Sequence, residues 1–203
     1  MSGADSSYEV VASERLAQGS VIAVRRDTLR MADGTQFARE VVEHPGAVGI
    51  VAIDDEGRVL LVNQYRHPVR QRLDELPAGL LDKDGESALA AAKRELAEEA
   101  RVQAADWHVL VDLAPSPGMS DEAIRIYLAR GISDAHDDFD AEHEELELTV
   151  ERVPLDVALT RIERGELTNA SAVAGVLAAA RAQAAGWTSL RAADAPWPAR
   201  PGR

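Results

Sequence analysis

Residues 75–102 read ELPAGLLDKDGESALAAAKRELAEEARV, and the rest of the chain is best read outward from this stretch. Its second half, from Ser87 to Ala100, is rich in Ala, Leu, Glu and Arg, which lose little side-chain freedom in a helix. Ser87 offers a hydroxyl to cap the helix start. A helix turns by about 100° per residue, so Glu95 shares a face with Glu98 and Glu99, three and four positions on. Like charges at that spacing cost a few tenths of a kcal/mol per pair unless water screens them or a cation joins them. Clustered carboxylate oxygens are the donors that Mg²⁺ and Mn²⁺ prefer. Taken alone, the same helix also reads as a solvated acidic face with Arg94 and Arg101 as surface partners.

Upstream, Ala47 to Ile53 and Val59 to Gln64 are apolar, β-branched runs flanking Asp54-Asp55-Glu56-Gly57, which predicts paired strands across a turn. Downstream, strands are expected at Val109 to Leu113, Ile124 to Ala129 and Leu146 to Val153, and a helix from Asn169 through Ala185. Near the start, the run Val21 to Val24, the turn signal Asp33-Gly34 and a second run from Phe37 to Val42 read as a hairpin. His44-Pro45-Gly46 breaks the pattern. The expected division is an N-terminal β-sheet element over 1–45, a main domain over 46–190 and a disordered Ala/Pro/Arg-rich tail over 191–203. The elements lack regular βαβ spacing, so a mixed-sheet α/β sandwich is expected rather than a doubly wound sheet.

The net charge of -13, with no basic block to offset it, repels phosphate backbones and argues against a nucleic-acid partner. A small anionic ligand needs only a few local cations, so nucleotides remain open. With no cysteine, thiolate metal sites and cysteine nucleophiles are excluded. His44, His67, His108, His136 and His143 show no metal-binding spacing. The stretch MSGADSSYEV has no basic start followed by an apolar core, and no run reaches the roughly 18 apolar residues of a membrane span. A cytoplasmic protein without membrane partners is expected.

The run from Glu75 through Val102, a glycine loop, then Glu86, then the REXXEE helix, resembles the Nudix box. The resemblance implies an α/β/α sandwich with a mixed sheet, here preceded by a small antiparallel sheet, and metal-dependent cleavage of a pyrophosphate. Two departures stand out. Six residues rather than five separate Gly79 from Glu86, and Arg101 replaces the glycine that follows the family's helix. A left-handed residue there would cost a non-glycine about 1 kcal/mol. Carried over by position, Glu95, Glu98, Glu99 and the Ala78 carbonyl would bind two or more Mg²⁺ or Mn²⁺ ions. Arg94 would orient the glutamates, and Glu86 would steady the loop.

Asn63-Gln64-Tyr65-Arg66-His67-Pro68, Glu75-Leu76-Pro77-Ala78-Gly79 and the tract from Ser116 to Glu122 resemble the ADP-ribose pyrophosphatase branch of that family. Pro117, fifteen residues after Val102, stands where the branch carries a proline. This implies hydrolysis of ADP-ribose to AMP and ribose 5-phosphate, with Arg39, Arg66, Glu75, Pro117 and Glu122 as substrate-binding candidates. Arg66 can donate two parallel hydrogen bonds. Arg39 matters only where the N-terminal segment reaches an active site, which in this branch happens across a homodimer with exchanged N-terminal sheets. The branch often places its base on a loop outside the box, and Gly131 to Glu145 is long, polar and acidic, as such a loop would be. Glu144 is the choice by position, with Glu142 and Glu145 as alternatives. Other readings are the same chemistry on a nucleotide sugar, and a non-catalytic nucleotide sensor. Retention of every REXXEE carboxylate argues against the sensor.

Overall fold

The structure, a computed structural model, describes residues 8–135 and 148–198. Its described residues form two units: one reaches Pro45 and includes Ser116–Glu122, the other is Gly46–Pro115 together with the chain from Ala123 onward.

The first unit is an antiparallel sheet of β1 (Glu9–Gln18), β2 (Ala23–Arg30) and β3 (Gln36–Glu43), in the order β1-β2-β3. Asp33-Gly34 makes the β2–β3 turn, with Gly34 at φ 87°. The first strand of that hairpin differs from the expectation. Val21 and Ile22 are exposed residues before β2, and the strand itself carries Arg25, Arg26, Asp27 and Arg30. Cross-strand pairs accommodate those charges, Arg26 with Glu40 at 3.0 Å and Arg30 with Glu9 at 2.9 Å.

The second unit holds β4 (Ala47–Ala52), β5 (Arg58–Arg66), β6 (Gln71–Glu75), β7 (Ala78–Leu80), α1 (Ala88–Ala100), β8 (Val102–Leu113), β9 (Ile124–Asp134), β10 (Thr149–Pro154), α2 (Leu155–Glu163), α3 (Ala170–Ala184) and β11 (Arg191–Ala192). One sheet runs β11-β8-β9-β4-β7 and another β10-β5-β6. The first is mixed, since β4 lies parallel to β9 while β8 and β7 pair antiparallel. Strand β8 starts at Val102, seven residues earlier than expected, and α2 was not foreseen. Of the strand expected from Leu146, residues 146 and 147 lie outside the described residues.

Period-two alternation divides the core. Val48, Ile50, Ala52, Tyr127 and Ala129 face one way and pack with Ala91, Ala92, Leu96 and Ala100 of α1. Val51, Ile53, Ile126 and Leu128 face the other way, against Ala172, Val176 and Ala179 of α3. Helices thus cover both faces, an α/β/α sandwich. Helix α3 approaches closely because Gly175 has no side chain: a Cβ there would come within 2.8 Å of Leu76 and Val51 side-chain atoms. No described helix is long and apolar enough to cross a membrane.

Of the tail expected to be disordered, residues 199–203 lie outside the described residues, and residues 191–198 make defined contacts. Arg191 and Ala192 pair with Val109 and His108 of β8, and Arg125 donates to the carbonyls of Ala195 and Pro196. These contacts tie residues 191–198 to β8 and β9.

Ser87 caps α1, accepting from the Ala90 N–H at 3.1 Å. At the other end Arg101 sits at φ 57°, ψ 29°, and its N–H reaches the Ala97 carbonyl. This is the left-handed position that glycine fills without a Cβ penalty. Arg101→Gly is expected to raise stability by about 0.5–1 kcal/mol, read from the midpoint of chemical denaturation. A lower midpoint would show that the Arg side chain contributes more than the strain costs.

Candidate active site

Strand β7 and helix α1 bring the acidic residues together. Glu95, Glu98 and Glu99 lie along one face of α1, and Arg94 binds two of them. Its Nη1 donates to Glu95 Oε1 at 2.6 Å and to Glu98 Oε2 at 2.8 Å. Its Nε and Nη2 meet the two oxygens of Glu86, each at 3.0 Å. One guanidinium therefore ties the loop carboxylate to two helix carboxylates, with the planar fork geometry that arginine supplies and lysine does not. The hydrogen bonds from Arg94 hold the Glu86 carboxyl below the usual carboxylate range. Burial pushes Glu95 the other way, upward, and outweighs the attraction of Arg94.

Glu99 is fixed from the strand side, where its Oε2 accepts from the Ala78 N–H at 2.9 Å. The next residue, Gly79, has no φ in the left-handed region and is needed for space instead. A Cβ on Gly79 would overlap Glu95 Oε1, Cδ and Cγ, all closer than any real Cβ contact allows. The Glu95 carboxylate thus rests against bare backbone. Among the described residues no three acidic or His side chains already converge as a ligand set. The donors present are carboxylate and carbonyl oxygens, the chemistry that suits a hard divalent cation. Arg94 Nη1 occupies oxygens of Glu95 and Glu98 that such a cation would take.

Arg66 and Glu75 come together across the β5–β6 hairpin. Nε and Nη2 of Arg66 meet the two carboxylate oxygens of Glu75 at 2.9 and 2.8 Å. The Glu75 side chain is 5% exposed and that of Arg66 42%, so the pair is anchored inside and open on its arginine side. Arg39, Pro117 and Glu122 belong to the first unit. There Arg39 lies over the Phe37 ring, 4.6 Å from its centroid, and Glu122 lies 3.7 Å from His44 Nε2. Glu142, Glu144 and Glu145 lie outside the described residues. A cleft of about 360 Å³ opens near Asp54, Asp106, Arg130 and Trp187 and contains none of these candidates. It lies past the far end of β4 from Ala78, whose partner is Gly49.

A profile of the NUDIX domain matches residues 43–173. This chain belongs to the Nudix family. The arginine-tied carboxylates of this Nudix chain lie within the matched residues, and the similarity extends beyond them. The chain is 48% identical over 198 residues to "ADP-ribose pyrophosphatase" of Mycobacterium tuberculosis (strain ATCC 25618 / H37Rv), covering 98% of this chain and 95% of that protein. It is 33% identical over 162 residues to "ADP-ribose pyrophosphatase" of Bacillus subtilis (strain 168), covering 80% and 86%. A further relative, "Methanol dehydrogenase activator" of Bacillus methanolicus, is 33% identical over 83% of this chain and 90% of its own. The fold matches a solved "ADP compounds hydrolase" with a TM-score of 0.76 over 92% of this chain and 99% of that one, at 24% identity. The Nudix chain is therefore a hydrolase of that family.

Two contacts at this Nudix site escaped sequence reasoning. The motif marks Gly79 as a loop glycine, but its role as the floor under Glu95 depends on where α1 packs. The Ala78 N–H to Glu99 hydrogen bond joins residues 21 positions apart, and no local pattern announces it.

Proposed function

We propose that this chain hydrolyses the pyrophosphate bond of ADP-ribose to AMP and ribose 5-phosphate with the help of Mg²⁺ or Mn²⁺, two or more ions per site. The observation that carries the reading is the 48% identity over nearly the whole chain to a protein named for that activity. Bound cations would neutralise pyrophosphate oxygens and lower the pKa of water. Glu95, Glu98, Glu99 and the Ala78 carbonyl would hold them. Arg94 keeps Glu95 and Glu98 in place until then and remains anchored by Glu86. Arg66, fixed in orientation by Glu75, has an exposed side from which to donate to a phosphate or ribose oxygen, and Arg39, Pro117 and Glu122 complete the proposed substrate contacts.

The same reading includes a cytoplasmic location, where a diffusible nucleotide substrate and Mg²⁺ are both found. It also includes a homodimer with exchanged N-terminal sheets. Tyr8, Val10, Leu16, Val21 and Ile22 of the first unit support that assembly, each between 40% and 57% exposed although apolar.

The test is a panel of nucleoside diphosphate derivatives incubated with purified protein, with and without chelator. AMP and ribose 5-phosphate should form from ADP-ribose, stop on chelation and return with Mg²⁺ or Mn²⁺. Turnover of a nucleotide sugar alone would replace the substrate, and binding without turnover would make the domain a sensor. Full activity in demetallated protein would remove the metal from the mechanism.

Glu144 is the proposed general base, with Glu142 and Glu145 as its rivals. A general base contributes about 10² to 10⁴-fold, so Glu144→Gln should lower kcat by that factor with metal affinity little changed. Measuring all three Gln variants separates them: a large loss confined to one identifies the base, and near-parental rates in all three exclude this loop.

A further inference from the structure

We propose that residues 191–198 are a strap that buttresses the carboxylate-bearing helix α1, and that Arg125 is the positioning residue that holds the strap. The inference rests on the reading of α1 as the metal-binding helix.

Arg125 occupies a core position. Along β9 its side chain shares a face with Tyr127 and Ala129, the face covered by α1, and the residue is 3% exposed. A guanidinium in such a place needs hydrogen-bond acceptors, since an unpaired buried charge is strongly unfavourable. Asp112, its partner in register on β8, supplies one set, accepting from Nε at 2.7 Å and Nη2 at 3.1 Å. The strap supplies the other. Nη1 donates to the Ala195 carbonyl at 2.6 Å and Nη2 to the Pro196 carbonyl at 3.0 Å, and the Trp197 ring stacks on the guanidinium at 4.8 Å. Asp112 also accepts from Arg191 Nη1 at 2.7 Å, so one carboxylate links both ends of the device.

The strap has little else to hold it. Its strand β11 is two residues long. Yet Ala193, Ala195 and Trp197 pack against the apolar cluster that includes Ala91, Ala92, Leu96 and Ala100 of α1. The fully buried residues of that helix face are Leu96 and three alanines, with Leu89 partly buried beside them, so the face buries little area of its own. Its other face carries three carboxylates that repel one another. Trp197 and the two strap alanines pack against the same cluster that takes in the buried face of α1, and Arg125 fixes where they lie. The chain of action runs from Arg125 to the strap, to the shared cluster, and so to the placement of Glu95, Glu98 and Glu99.

The test compares the full-length protein with Trp197→Ala, Arg125→Lys, and a chain ending at Leu190 that also carries Arg125→Met and Asp112→Asn. The last variant removes the buried guanidinium, its strap acceptors and the carboxylate that would lose both Arg125 and Arg191, so no orphaned buried charge is left to unfold it. Release of the strap is read as new tryptic cleavage after Arg191, by mass spectrometry. Mn²⁺ affinity is measured by electron paramagnetic resonance, and kcat and KM for ADP-ribose separately, all well below the melting temperature. Loss of partners that orient metal ligands costs about 10 to 100-fold in affinity or activity. Trp197→Ala and the shortened chain should therefore weaken Mn²⁺ binding and lower kcat by about 10-fold with KM little changed, and Arg125→Lys, which keeps the charge, should retain more of both than the shortened chain. A strap released without change in Mn²⁺ affinity or kcat overturns the inference while the metal-helix reading stands. Failure of the full-length protein itself to bind Mn²⁺ overturns that reading, and this inference with it.

Discussion

Gly79→Ala should remove most of the turnover while leaving the protein folded. The added methyl would overlap Glu95 Oε1, Cδ and Cγ, so no small rotation of the carboxylate accommodates it. Glu95 has to leave, and with it goes the hydrogen bond from Arg94 Nη1. Backbone geometry does not stand in the way, because Gly79 is not in the left-handed region and pairs with Val48 in an ordinary antiparallel register. The damage therefore falls on the carboxylate site and not on the fold. Disturbing the partners of metal ligands costs about 10 to 100-fold, and displacing Glu95, a proposed ligand, should cost at least the upper end of that range. The check is kcat and Mn²⁺ affinity beside a circular dichroism spectrum. A folded variant with near-parental values of both would show that Glu95 need not sit where the structure holds it.

The same contact shows where reading a sequence stops. Helix α1 was legible because its signals are local: a Ser87 cap, residues with high helix propensity, and carboxylates at helical spacing. Arg101 was legible too, as the family's glycine position predicts the left-handed backbone it adopts. The near-continuous apolar runs of β4, β5 and β9 follow from burial on both faces of a sheet. Strand β2 was placed too early because its apolar lead, Val21 and Ile22, is exposed, while the strand proper is charged and depends on cross-strand partners. Strand β1 has no buried residue along its length, so it carries no hydrophobic period to read. Helix α2 follows Pro154 without a side-chain cap, which removes the usual start signal. The tail has the composition of a disordered segment, and the contacts of residues 191–198 are made with partners far away in sequence, Arg125 some 70 residues off among them, which no local pattern announces. Arg66 could be named as a phosphate contact from its type alone. That Glu75 would hold it across the hairpin depends on the β5–β6 register, which places Val62 opposite Glu75 and lets Arg66 reach along the strand.

Glu98→Gln and Glu99→Gln should each abolish nearly all turnover without loss of stability in the metal-free protein. Glutamine keeps the shape of glutamate and an oxygen that accepts hydrogen bonds. The amide oxygen at position 98 can still accept from Arg94 Nη1, and the one at position 99 from the Ala78 N–H. What disappears is one negative charge. On α1 that relieves like-charge repulsion at three and four-residue spacing, a few tenths of a kcal/mol per pair, so stability in chelator should hold or rise slightly. At the proposed cation site the same lost charge removes the stronger oxygen donor, and a decrease in kcat of at least about 10²-fold is expected, again by comparison with the cost of losing a ligand's partner. Metal linkage gives a second readout that does not pass through catalysis. A cation that binds only the folded state stabilises it by RT ln(1 + [L]/Kd), about 2.7 kcal/mol at one hundred times Kd. The parent protein should therefore gain stability as Mn²⁺ is added, and the two variants should gain less at the same concentration. If either variant stays folded, keeps its rate and responds to Mn²⁺ as the parent does, its carboxylate is not a metal ligand. If a variant loses stability in chelator while its folded fraction turns over normally, the residue serves the helix alone.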